Sequence, residues 1–486
     1  MIRRLVAASL FAAGVAMAVE PPQTPEQWQH AAVADIAAAY QLTLDNHPGT
    51  YDPANPGFAS HLAEARKLGL QLGAQVRDGA GYQAALAGFN AAIHDGHAGV
   101  EFTSPLAAQW RWPGFVAAWR GDSMYVYATV PGGPAAGSKI EQCDGQAVAK
   151  LAETNVFAYQ GRSEERGSWW ITAREVFTDA GNPFIQLPSV CSFSKDGKRF
   201  SMTLAWSPMD NDMLRWRQQS YNGDVLPVGL TEPRLHLYWA AMPNFQPDEP
   251  QRAAYRAMYE ALRAHPERYQ QADAVVIDLR GNHGGSSLWS QDFARALWGD
   301  EAVAQHERAN LSKQQVWWRA SAGNVAHVRW LAGMLDGQGR ADIAAGVREV
   351  AKQMQLALER GDKFFVTGDK RPPAATAEVQ ASAFNRPVYV IVPGQCASAC
   401  LDALDVFTMF PNTKLIGAPS SADSTYMEVR YQPLDSGLVR VVIPNKVYVG
   451  RPRASGQFYS PQIEVNDLEW STENFLKVIE ADLKTR

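Results

Sequence analysis

Apolar positions along the first hundred residues recur at helical spacing. "EQWQHAAVADIAAAYQLTLDNHP" places them every three or four residues and stops at His47-Pro48. Two further segments, about 57–74 and 79–94, keep the same period and end on "IHDGHAGVEF". Residues 19–104 are therefore expected to form a small helical module whose last loop delivers His94 and His97 beside a strand. From about 105 to 210 the period shortens to that of strands, with Gly and Pro between them. From about 233 onward the two periods alternate: "LHLYWAAM", "ADAVVIDL", "RPVYVIVP" and "TKLIGAP" read as strands. "EPQRAAYRAMYEALRAH", "SSLWSQDFARALWG" and "SACLDALDVFTMF" read as helices. This layering predicts an α/β core over 211–486. A polar stretch from about 303 to 383 reads as a mainly helical insertion.

The extreme N-terminus changes the picture of where the chain works. Arg3-Arg4, an apolar run from Leu5 to Val15, and Ala16-Met17-Ala18 have the form of a secretory signal peptide covering residues 1–18. The mature chain is then expected to start at Val19, in the periplasm or outside the cell. The alternative is a buried N-terminal helix. No later run reaches the ~20 apolar residues that a bilayer span needs, so no span is expected in the mature chain. In an oxidising compartment the four cysteines favour disulfides over metal ligation. Cys396 and Cys400, four apart, are expected to pair across a helical turn, and Cys143 with Cys191.

Composition adds exclusions. A net charge of −5 and the lack of a long basic run argue against nucleic acid as a partner. Fifteen Trp cluster, as in Trp110, Trp112 and Trp119, and read as core or as the lining of a groove.

Two stretches carry candidate chemistry. In "VIDLRGNHGGSSLW" a buried strand ends on Asp278 and Arg280, then exposes the backbone of a turn containing Gly284 and Gly285. Such a loop suits an anion or a developing oxyanion. A phosphate loop is the weaker reading, because no Gly-Lys-Ser/Thr follows. In "VYVIVPGQCASACLDALDVF" Ser398 sits where a strand turns into a helix. A serine there is either a plain N-cap or a nucleophile beside a positive helix end. His94-x-x-His97 as a metal pair lacks any H-E-x-x-H or Cys partner, and neither metal nor cofactor is expected.

"DLRGNHGG" and "CASAC", followed by "KLIGAPSSADS", resemble the motifs of the tail-specific, or C-terminal-processing, serine peptidases. The resemblance implies a crotonase-like (ClpP-like) α/β core and serine endopeptidase activity on peptide or unfolded protein substrates. It also implies Ser398 as nucleophile, with the N–H groups of Gly284, Gly285 and Ala399 around the oxyanion and Asp278 and Arg280 bracing the turn. "SMYVYATVPGGPAAGSKIEQCDGQAVAKL" looks like part of a PDZ domain, which such peptidases often carry; another β-rich insertion is the alternative reading. One branch of the family uses a lysine base about 25 residues after the nucleophile, where this chain has Asp423. The chain is more similar to the tricorn-core and retinoid-binding-like branch, whose histidine base lies in an N-terminal loop like "HDGHAGV". That implies His97 as base, with His283 as the alternative and activity rising with pH through the imidazole range. Asp95, Asp423 and Glu428 stay open as the group that orients the histidine. A ligand-binding protein without turnover on the same scaffold is the rival function. Oligomeric state has no sequence signal.

Overall fold

The computed structural model describes residues 21–106, 110–311, 314–368 and 382–485. The expected signal segment and its cleavage site lie outside them.

The first helix, Pro25–Asn46, opens on a capping box between Thr24 and Gln27, with Pro25 in its first turn. It ends at His47, where the following Pro48 disfavours helical backbone. Helices Phe58–Gly73 and Gly79–Ile93 pack against it through Ile36, Leu62, Leu86 and Phe89. This cluster is not closed on itself. Val439, Val441 and Ile443, from the long strand Val439–Val449, complete it. The strand Gly99–Phe102 then pairs antiparallel with Val439–Val442, Gly99 opposite Val442 and Phe102 opposite Val439.

Residues 111–208 contain a separate antiparallel sheet. Its strands run in the order Phe115–Arg120, Ser123–Thr129, Lys139–Cys143, Val190–Lys195 and Lys198–Thr203. Cys143 and Cys191 face each other across this ladder, 4.0 Å apart at Cα, and are joined by a disulfide.

The central sheet has six strands in the order Gly229–Arg234, Leu237–Ala241, Ala274–Asp278, Val388–Val392, Thr413–Gly417 and Ile463–Glu464. The first pair is antiparallel and the rest are parallel. Parallel strands are covered on both faces, which is why "AVVID" and "VYVIV" are buried at every position. Helices Glu249–Ala264, Leu288–Trp298 and Ala399–Phe407 cover one face, over Val275, Ile277, Val388 and Val390. Helix Thr472–Leu483 and Trp470 cover the other, over Trp239, Val276, Tyr389 and Ile391. Among the described residues no helix is long and apolar enough to cross a membrane.

The stretch expected to be a mainly helical insertion is not only that. Besides helices Asp300–Leu311, Ala322–Gly337 and Ala341–Glu359 it contains strand Gln315–Arg319 after the first helix and strand Phe364–Gly368 after the last. These pair with each other, and the first continues onto Lys446–Val449. Short strands of five residues inside a polar stretch carry too little periodicity to be seen. The long hairpin Tyr426–Pro433/Val439–Val449 also lacks a local signal, yet it joins the strand of the helical module to those of the insertion in one sheet.

Candidate active site

The strand Val388–Val392 ends at Pro393-Gly394, and Ser398 starts the helix Ala399–Phe407. Ser398 has φ 54° and ψ −125°, and its side chain makes no capping hydrogen bond. The plain N-cap reading therefore fails. A non-glycine residue in this region costs on the order of 1–3 kcal/mol and persists only where its surroundings impose it. Three bonds do so. The Cys396–Cys400 disulfide straddles the turn, as expected from the spacing. The Ser398 N–H donates to Asp423 Oδ2 at 2.6 Å, and the Ser398 carbonyl accepts from the Asp402 N–H at 3.1 Å. As the first residue of the helix, Ala399 has no intrahelical acceptor for its own N–H.

The glycine turn lies directly against this serine. A Cβ added to Gly284 would stand 2.7 Å from the Ala397 carbonyl, 2.9 Å from Ser398 Cβ and 3.2 Å from the Ala399 nitrogen. Gly284 has φ +105° and Gly285 φ +131°. One expectation is corrected here: the Gly284 N–H already donates to Asn282 Oδ1 at 2.8 Å, so it is not available to an oxyanion. Gly285 keeps its place in the turn, with Phe245 so close that a side chain would meet the Phe245 carbonyl at 2.2 Å.

Asp278 and Arg280 anchor the turn from below. Fully buried, the Arg280 guanidinium donates to Asp278 Oδ2 at 2.7 Å, Asp224 Oδ1 at 2.6 Å and the Trp470 carbonyl at 2.7 Å. A second tie was not foreseen. Ser287 donates to Asp402 Oδ2 at 2.6 Å, and Arg451 and Arg453 bridge Asp402 and Asp405 on the helix behind Ser398. The glycine turn and the serine helix are thus bolted together by a partly buried ionic network. Arg451 and Arg453 lie about fifty residues beyond the serine, and no local motif marks them.

His97 reaches the site on the loop that feeds the Gly99–Phe102 strand. Asp95 Oδ1 accepts the His97 N–H at 2.9 Å and the Ser424 hydroxyl at 2.8 Å, while Oδ2 meets His47 Nε2 at 2.8 Å. Burial pushes the Asp95 carboxyl up, but the bond from His47 and the neighbouring His97 outweigh it and hold the group at about 2. Asp95 therefore ties the loop by its backbone. The carboxylate near the imidazole is Asp423, whose Oδ1 is 3.7 Å from His97 Nδ1. That nitrogen is buried and has no hydrogen-bond partner among the described residues. Burial raises the Asp423 carboxyl above its ordinary value, against the pull of His97 and the Ser398 N–H. Glu428 is committed elsewhere, in an ion pair with Lys446 at 3.3 Å. His283 stands exposed on the glycine turn, its pKa lowered by the protein packed around it. His94 lies 3.2 Å from Glu164.

A serine held out of its capping role at a helix start, a glycine turn on its flank and a half-buried imidazole beside a buried carboxylate suit acyl transfer. Residues 241–448 match the family model described as Peptidase family S41. This segment is a serine-type peptidase domain. The match takes in Gly284, Ser398 and Asp423 and leaves out His97. The fold as a whole is similar to that of mature CPAF complexed with lactacystin, with a TM-score of 0.60 at 13% identity over 94% of this chain and 98% of that one. A second structure of mature CPAF gives 0.60, 13%, 94% and 97%. The photosystem II D1 C-terminal processing protease aligns over 89% of this chain and 92% of its own, at 14% identity and a TM-score of 0.34. No curated protein sequence matches this chain. At such identities the likeness to solved structures is one of fold.

The packing of the peptidase domain's glycine turn generates a test. Gly284→Ala puts a methyl group against the serine turn at an unfavourable φ. Peptidase activity should fall by about a hundredfold or more, since small misplacements of reacting groups are that costly. Circular dichroism should show the fold intact. Near-wild-type activity would mean that Gly284 does not shape the site.

Proposed function

We propose that the chain is an exported serine endopeptidase in which Ser398 is the nucleophile and His97 the base. The observation that carries this reading is the Ser398 turn, whose backbone is strained while its hydroxyl is left out of capping. Ser398 Oγ would attack the scissile carbonyl as its proton passes to His97. The tetrahedral intermediate would collapse to an acyl-enzyme as the same proton moves to the leaving amine, and water activated by His97 would release the acyl group. The N–H groups of Ala399 and Gly285 are the proposed oxyanion donors, each worth about 3–4 kcal/mol of transition-state stabilisation. Asp423 is the proposed orienting group. It lies nearest the imidazole, and a modest turn of the ring would close the 3.7 Å gap to a hydrogen bond. The β-rich sheet of residues 115–203 is the proposed PDZ-like peptide-binding unit.

A fluorophosphonate probe should label wild-type protein at Ser398 and leave Ser398→Ala unlabelled. On peptide libraries His97→Ala should lose activity about as fully as Ser398→Ala, because members of such a unit act together. His283→Ala should keep measurable turnover. An active His97→Ala with a dead His283→Ala would make His283 the base.

Asp423 gives a prediction with a sign. Its folded pKa is raised by burial, so its protonated form favours the native state. The stabilisation is fully present below the unfolded carboxyl value and is lost as pH rises through the raised folded value. At neutral pH ionised Asp423 therefore costs stability. Asp423→Asn, whose amide oxygen can still accept the Ser398 N–H, should be at least as thermostable as wild type at pH 7. Its advantage should shrink on acidification. Its kcat should fall on the order of 10²–10⁴-fold. A variant both less stable and fully active would refute the assignment.

Export is the remaining part of the proposal. N-terminal sequencing of the protein from its native cell should read from Val19, and a retained Met1 in the cytoplasm would exclude it.

A further inference from the structure

Away from the serine, an open cleft of about 470 Å³ lies where the first helix, the insertion and the long hairpin meet. Arg319 and Arg430 line it, and both are more than nine-tenths buried. Among the described residues neither has a carboxylate within ion-pairing distance. Arg430 Nε donates to Asn324 Oδ1 at 2.9 Å and Nη1 to Gln432 Oε1 at 3.3 Å, while Nη2 has no acceptor among the described residues. Arg319 spends its two terminal nitrogens on the carbonyls of Ala320, Lys363 and Asp45, and its Nε is buried without a partner among the described residues. A buried guanidinium without a negative partner is strongly unfavourable, and burial alone brings Arg430 down to about 10.

The cleft also holds the start of a helix. Ser321 caps helix Ala322–Gly337 by accepting the Asn324 N–H, and Ala322 and Gly323 line the cleft. Gly323 leaves room there, for a Cβ at this position would stand 2.6 Å from Arg430 Nη2 and 2.6 Å from Asn46 Oδ1. A buried guanidinium packed against a helix N-terminus, with a second buried guanidinium lining the same open cleft, gathers the positive charge that proteins use for oxyanions. Two aspartates reach the rim. Asp362 is exposed and paired with Arg360 at 2.9 Å, and exposed Asp45 accepts from Gln41 at 2.9 Å. The Asp45 charge acts on Arg319, but among the described residues neither carboxylate forms an ion pair with either arginine. The recess has the volume of a small-molecule site and not the breadth of a protein interface.

We propose that this cleft binds a small, doubly charged oxyanion, a phosphate monoester or a dicarboxylate, through Arg430 and Arg319 at the N-terminus of the Ala322–Gly337 helix. The site is separate from the proposed catalytic set and stands whether or not Ser398 is the nucleophile. Two buried guanidinium groups without a carboxylate partner, with Lys363 also on the lining, call for an anion of two charges, and a planar guanidinium engages carboxylate and phosphate equally well.

The test is calorimetric titration of the mature protein with inorganic phosphate and, separately, with succinate, at constant ionic strength balanced with chloride. Saturable submillimolar binding of at least one anion is expected, and the stronger of the two identifies the class. Arg430→Gln and Arg319→Gln should each weaken it tenfold or more, while Arg440→Gln, at an exposed pair with Glu101, should not. Arg430→Met should melt in chloride at or above the wild-type temperature, because it removes an unpartnered buried charge, and should no longer respond to the anion. Absence of saturable heat from both anions overturns the proposal. So does binding unchanged in Arg430→Gln, or an Arg430→Met variant that is destabilised and still stabilised by phosphate as wild type is.

Discussion

Four residues, Gly99 to Phe102, join the two ends of the chain by pairing with Val439–Val442. Everything proposed for the site depends on this ladder. The helical module cannot bury its own apolar face, so it borrows Val439, Val441 and Ile443 from a strand about 340 residues away. Closing so long a loop costs entropy only logarithmically in its length, and burial of a shared core offsets that cost readily. The consequence for function is positional. The loop just before Gly99 carries Asp95 and His97, and the turn just before the hairpin's other strand carries Asp423 and Ser424. Pairing the strands brings those two loops into hydrogen-bonding range, as the Asp95–Ser424 bond records.

Much of the central architecture was legible because its signals are local. A buried parallel strand reads as a near-continuous apolar run, and "AVVI" and "VYVIV" do. The strand-to-helix turn at Ser398, the cysteines four residues apart and the glycines at 284 and 285 also sit within short windows. What could not be read was whatever depends on distant partners. Arg451 and Arg453 look like ordinary surface cations until Asp402 and Asp405 are placed beside them. Strands Gln315–Arg319 and Phe364–Gly368 exist because Lys446–Val449 offers them an edge, which no period in their own five residues announces.

Gly284 shows a finer limit. Its spacing after the strand marks a tight turn, and the turn does lie against Ser398. Sequence cannot say which way an amide points. Asn282, two residues earlier, captures the Gly284 N–H with its side chain, the local bond that asparagine favours in turns. Gly284 thus supplies the close approach, and the proposed donor role falls to its neighbour.

Asp423 carries the most consequential compromise. Asp423 is buried, which disfavours its charge, yet one oxygen holds the Ser398 amide and the other faces His97. A lysine at this position would interact with the serine directly as a base. A carboxylate instead attracts positive charge, so it suits the proposed role of steadying a His97 imidazolium while the serine proton is in transit. The same carboxylate helps to hold Ser398 in its unfavourable backbone conformation. Strain at the proposed nucleophile and charge at its partner are therefore one arrangement, in which each is maintained by the other and both are maintained by the strand that closes the chain.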